Sequence, residues 1–232
     1  MGVRAVRVMV VLALWAAVVV AARADVRPAP QAFLRAETAG ATRLGEVALR
    51  AAADVVAVRA ESCGVRTEAS GFLIDGMMVT NAHVVGAAPS VLVGAPGWQS
   101  PVTVVRVASG VDLAIGPVGH GGGLSLATAD AAVGERVVVV ARIAGRVRLL
   151  PARVQAYAEP GAYGGDGVAM LVDPAGVQGF SGGPVLAADG SVVGVARAID
   201  TATGLTVAEP ASTVAGWLDA SAFGDASTSC AS

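Results

Sequence analysis

Lysine is absent from these 232 residues: all 16 basic side chains are arginines, set against 18 acids. Aromatic residues make up 4% of the chain and charged residues 15%, and there are only two histidines and two cysteines. The scarcity of basic side chains excludes a nucleic-acid surface, which needs a patch that matches the phosphate charge. One of the two histidines, His120, has no neighbouring His, Cys or acid in the stretch "GHGGG", which makes a poor metal site, so no metal is expected. No repeat of fixed period and no cofactor-binding motif is evident. What the chain does have is length: it can bury a full hydrophobic core, and 54% of it is hydrophobic.

The single long apolar run, Val8–Ala22, follows Arg4 and Arg7 and leads into Ala22-Arg23-Ala24, a small-x-small pattern ahead of Asp25. As a helix it would reach only about 22 Å, short of the roughly 30 Å hydrocarbon core. Residues 1–24 therefore read as a signal peptide, with an uncleaved N-terminal membrane anchor through residues 8–22 as the alternative. Either way the chain is expected to be exported, to the periplasm and cell envelope or outside the cell. Removing residues 1–24 leaves 13 basic against 18 acidic residues, a net charge of −5. Behind an export signal the even pair Cys63 and Cys230 reads as one disulfide joining the C-terminus to the start of the domain; two unpaired thiols are the alternative.

Residues 25–44 mix Pro, Ala and charges without a period and read as a linker, with a short helix expected near Leu44–Ala53. Short Val-rich runs follow: Val55–Glu61, Ser70–Asp75, Met77–Thr80, Ser90–Ala95, Val102–Ala108, Arg136–Ile143, Arg146–Ala158, Val168–Asp173, Pro184–Ala188, Ser191–Ala198 and Gly204–Ala208. Broken by Gly, Asp and Pro, they predict an all-β domain over 45–232, an antiparallel sandwich or barrel. Near the end Val214, Trp217 and Leu218 share one face of a predicted helix, and Trp217 reads as its packing residue.

Three stretches carry chemistry. In "GVQGFSGGPVL", Gly176 to Leu186, a serine stands among glycines and prolines. It is either a loop residue or a nucleophile whose backbone N–H groups must converge on an oxyanion. His83, in "VTNAHVVG", follows a strand and opens a short helical turn. Asp112 is the one acid in the apolar "VASGVDLAI", and if buried it needs a partner such as an imidazole N–H.

Together "TNAHVV", "VDLAI" and "GFSGGPV", in the order His83, Asp112, Ser181, resemble the motifs of trypsin/chymotrypsin-like serine proteases. The likeness runs from about Ala52 to Ala208 and is closest to the bacterial Deg/HtrA branch, including the actinobacterial acid-resistance periplasmic proteases, which "RAESCG" and the terminal cysteine also resemble. No PDZ module is expected after Ala208. The resemblance implies two six-stranded antiparallel barrels, the first about 52–130 and the second about 131–208, with a C-terminal helix at about 210–220. His83 and Asp112 would lie on the first barrel and Ser181 on the second. It further implies an endopeptidase acting on protein or peptide substrates without a cofactor, with the N–H groups of Gly179 and Ser181 as oxyanion hole.

Phe180 departs from the family's usual Asp or Asn, which puts in question whether that hole is formed at rest. By analogy the primary pocket involves Ala175 and the strand Val195, Ala196, Arg197 and Ala198. With no carboxylate at Ala175, a small or medium apolar side chain is expected there; Asp200 reads as an exposed turn acid. A catalytically silent binding module and an esterase on the same fold are the rival readings.

Overall fold

The computed structural model describes residues 43–219, apart from 105, 108–109 and 120–121. The signal segment, most of the linker, His120 and Cys230 lie outside the described residues. Among the described residues no helix is long and apolar enough to cross a membrane.

The expected first helix is α1, Arg43–Ala51, with Glu46 in its first turn and Arg50 in its last, both favourable to the helix dipole. Its buried Ala48 and Ala51 face the strands. The first barrel-like layer holds β1 (Val55–Ser62), β2 (Val65–Ile74), β3 (Met77–Thr80), β4 (Ser90–Ala95), β5 (Trp98–Thr103), β6 (Arg106–Val107) and β7 (Ala114–Pro117), with the single turn α2 (Ala82–Val85) after β3. The second holds β8 (Arg136–Ile143), β9 (Arg146–Ala158), β10 (Ala169–Asp173), β11 (Pro184–Leu186), β12 (Val192–Asp200) and β13 (Leu205–Pro210), followed by α3 (Ala211–Asp219).

All these strands pair antiparallel, as expected, but among the described residues only one layer closes. The second is a closed barrel in the order β10-β13-β12-β11-β8-β9. The first is a curled seven-stranded sheet, β5-β4-β1-β2-β3-β7-β6, in place of the expected six-stranded barrel.

Strand β8 shows why the sequence folds this way. Val137, Val139 and Ala141 point into the second barrel's own core, while Val138 and Val140 join a core shared with Val55, Phe72 and Leu113 of the first layer. Both faces are buried, so the side-chain period of two yields an unbroken apolar run. The shared core also receives Val214 and Trp217 of α3, and the first layer fills its inside with Val56, Val58, Met78 and Val93. Polar ties cross the same boundary. Buried Arg142 of β8 donates from Nε to the Val55 carbonyl at 2.7 Å and from a terminal nitrogen to the Ala52 carbonyl at 2.5 Å.

Candidate active site

His83 is placed by its neighbours. Thr80 and Asn81 are fully buried at the end of β3, and Val84 and Val85 anchor the α2 turn in the first core, so the imidazole projects half-exposed from a fixed base. Asn81 Nδ2 donates to the Asp112 carbonyl at 2.7 Å, holding the acid's backbone next to the histidine. Asp112 then gives both carboxylate oxygens to one residue: Oδ2 lies 2.6 Å from His83 Nδ1, and Oδ1 accepts the His83 backbone N–H at 2.9 Å. A carboxylate can only accept, so Nδ1 carries the proton and Nε2 is left as the base. Burial pushes the Asp112 carboxyl up, but the hydrogen bonds and charge of His83, with the Arg197 guanidinium, outweigh it and hold the group below its ordinary value.

Ser181 sits on the turn before β11. Gly182 beside it has φ +78°, and a Cβ there would overlap the Ser70 carbonyl, so the turn requires glycine. The three carbonyls around the serine are all held. Ser70 Oγ donates to Gly179 O at 2.7 Å, Gly183 N–H to Phe180 O at 2.9 Å, and Ser70 N–H to Ser181 O at 2.9 Å. With Gly179 at φ +98°, the N–H groups of Gly179 and Ser181 have no protein acceptor among the described residues. Phe180 is 3% exposed and belongs to the second barrel's core with Val139, Val185 and Ala196. The loop is thus pinned by an apolar ring. The Ser181 hydroxyl itself donates to the Arg197 carbonyl at 3.2 Å, so its proton is directed away from the imidazole.

Beside the serine is a cavity of about 220 Å³ walled by Val177, Phe180, Ala196, Ala198 and Ile199. Thr206 also lines it, but its hydroxyl already accepts the Gly176 N–H at 2.8 Å and donates to the Pro174 carbonyl at 3.0 Å. Of the residues expected at the pocket, Ala196, Arg197 and Ala198 line this cavity, whereas Ala175 and Val195 are not among its lining; Val195 turns into the shared core. Asp200, expected as an exposed turn acid, is the half-buried last residue of β12, accepting from Tyr163 Oη at 2.9 Å and Thr203 Oγ1 at 2.6 Å. A larger cavity of about 610 Å³, lined by Arg59, Glu68, Leu92 and Pro101, is an open groove on the first sheet and contains none of these site residues.

Sequence reasoning missed Ile199, Thr206, Ser70 and the ion pair of Arg197 with Glu209, whose Nε and Oε1 are 3.0 Å apart. Glu209 did carry a signal, the same one as Asp112: a lone acid in an apolar stretch.

A closed barrel packed on a curled sheet, with an acid–imidazole pair on one and a glycine-bound serine on the other, defines a chymotrypsin-like serine hydrolase. The chain belongs to the trypsin-like peptidase family, whose domain model matches residues 69–195. The active form of the Rv3671c protease (MarP) from M. tuberculosis is similar at 29% identity and TM-score 0.68, over 79% of this chain and 89% of that one. An inactive form of the Rv3671c protease gives 30% identity and TM-score 0.64, over 74% and 90% of the two chains. The HtrA-type protease AlgW shares the fold at 19% identity and TM-score 0.69, over 75% and 62%. No curated protein matches the chain by sequence. By family, then, the chain is a peptidase, with protein or peptide substrates.

Proposed function

We propose that the chain is an exported serine endopeptidase that works through an acyl-enzyme, with Ser181 as nucleophile, His83 as general base and acid, and Asp112 as the group that orients the imidazole. The observation that carries this is the double hold of Asp112 on His83, which leaves Nε2 free to take a proton. Ser181 turns about its Cα–Cβ bond from the Arg197 carbonyl to Nε2 and attacks the scissile carbonyl, passing its proton to His83. The oxyanion is received by the Gly179 and Ser181 N–H groups, each worth about 3–4 kcal/mol in comparable sites. His83 returns the proton to the leaving amine, and water then repeats the sequence to free the acid.

The cavity beside Ser181 is walled mainly by apolar side chains, with Gln178 and Arg197 at its border; its threonine is already engaged by backbone, and among the described residues no carboxylate lines it. This favours a small or medium aliphatic residue on the acyl side of the cleaved bond over Lys or Arg. Phe180, anchored in the core, supports a hole formed at rest. Cys63 is not a free thiol, which supports its pairing with Cys230, the one other cysteine. Export is supported by the Val8–Ala22 run, cleaved or retained as an anchor.

A peptide library tests the reading. Cleavage after Ala, Val or Leu, absent after Lys or Arg and abolished in Ser181→Ala, is expected. Hydrolysis of simple esters with no peptide cleavage would favour an esterase, and no turnover of either would favour the silent binding module.

A further inference from the structure

Arg197 stands at a break in the β12–β13 ladder. Ala196 pairs with Ala208 and Ala198 with Val207, so Arg197 is the extra residue of a β-bulge, a feature that re-aims a side chain. Its guanidinium turns inward: the Arg197 and Glu209 side chains are only 10% and 4% exposed, with Nε and Oε1 3.0 Å apart. The Nε–H is not aligned for a hydrogen bond, so the contact is an ion pair held by charge. A terminal nitrogen is fixed by the Tyr163 and Gly164 carbonyls, both at 3.2 Å. The loop holding those carbonyls reaches the acid's own loop, with Asp166 N–H bonded to Gly110 O at 2.6 Å. Arg197 also meets the nucleophile, since its carbonyl accepts the Ser181 hydroxyl at 3.2 Å. On the other side, the Asp112 backbone N–H interacts favourably with the Glu209 carboxylate, while the two carboxylates repel and Arg197 attracts both.

We propose that Arg197 and Glu209 are a buried positioning pair that ties the Asp112 loop of the first sheet to the serine-bearing barrel, so that the acid–imidazole pair and Ser181 keep their relative placement. This rests on the reading of His83, Asp112 and Ser181 as the reacting groups. Two elements packed face to face can slide; an inward arginine whose guanidinium is held by the crossing loop and paired with Glu209, and whose backbone carbonyl holds the Ser181 hydroxyl, opposes that slide. The pair touches no scissile bond, and its effect is exerted through Asp112 and Ser181.

Removing one member strands the other as a buried charge, so the single variants are poor tests. The informative change is the double variant Arg197→Met/Glu209→Met in the full chain, which removes both charges at similar volume. With folding checked by circular dichroism, two readouts are taken. The first is kcat and KM on the best peptide. The second is the downfield proton NMR signal of the His83 Nδ1–H on Asp112, assigned by its loss in Asp112→Asn, which reports the pair whether or not the protein turns over. A fall in kcat of about tenfold or more with KM within about twofold, together with loss or broadening of the downfield signal, is expected. An unchanged kcat and an unchanged signal in the folded variant would overturn the proposal, as would absence of the signal in the parent chain. A parent that shows the signal but no peptidase activity, with the signal lost in the double variant, would leave the positioning pair standing and overturn the endopeptidase reading alone.

Discussion

In the proposed mechanism Asp112 is the residue on which the chemistry turns, because it binds both the ring and the backbone of His83. Asp112→Asn keeps the size but offers an N–H where the imidazole needs an acceptor, so the ring adopts the wrong tautomer. The expected outcome is a fall in kcat of about 10⁴-fold with unchanged circular dichroism; a loss under about tenfold would remove Asp112 from the mechanism. Phe180 makes a different contribution. Its ring is packed in the barrel core, and Phe180→Ala is expected to cost about 3–5 kcal/mol in urea unfolding, with slower acylation as the oxyanion loop loosens. Asp112 could be recognised in the sequence because a histidine motif and a serine motif accompanied it. Glu209 could not, although it too is a lone acid in an apolar stretch: its partner Arg197 is brought round by a bulge, and a bulge shifts the register that pattern-reading assumes.

At the scale of elements, the strands with buried faces were legible. Met77–Thr80, Ser90–Ala95, Arg136–Ile143 and Arg146–Ala158 form where the valine runs indicate. Others were not. Strand β2 begins at Val65, five residues before the expected Ser70; Val65–Glu68 pair with β1 but are largely exposed and lack an apolar alternation that would reveal them in the sequence. Strand β5 carries Pro101 and pairs through Trp98-Gln99, and β7 was hidden in the stretch read for Asp112. The turns separate structure from function. Gly64, at φ +77° in the two-residue β1–β2 turn, has open space where a Cβ would stand, whereas the same atom on Gly182 would strike backbone. Gly64→Ala is therefore expected to cost only about 1–2 kcal/mol in thermal unfolding and to leave the active-site serine reactive. Gly182→Ala is expected to abolish that reactivity, and equal behaviour of the two variants would contradict the assignment of the second turn to the site.

For the whole molecule, the proposed triad is divided between two layers, so its geometry depends on their shared core and on Ser70, Arg142 and Arg197. The same division sets the pH response. Asp112 is held below its ordinary value of 3.8, so its contribution to stability is complete above that pH and is lost as the pH falls through the lower folded value. Glu209 is shifted the other way: burial raises it above 4.5, outweighing Arg197 and the Asp112 N–H, so stability falls as the pH rises from 4.5 through the folded value. In thermal melts across that window, the slope due to Glu209 is expected to disappear in Glu209→Gln; an identical slope in both proteins would place the titration elsewhere. If Cys63 and Cys230 are joined, alkylation of the unreduced protein should label neither, and labelling of both would rule out the bridge. The most direct test of the central claim is fluorophosphonate labelling of the full chain beside Ser181→Ala. Labelling that is present in the parent and absent in the variant is the predicted result; a folded parent that does not react, or a variant that still does, would contradict it.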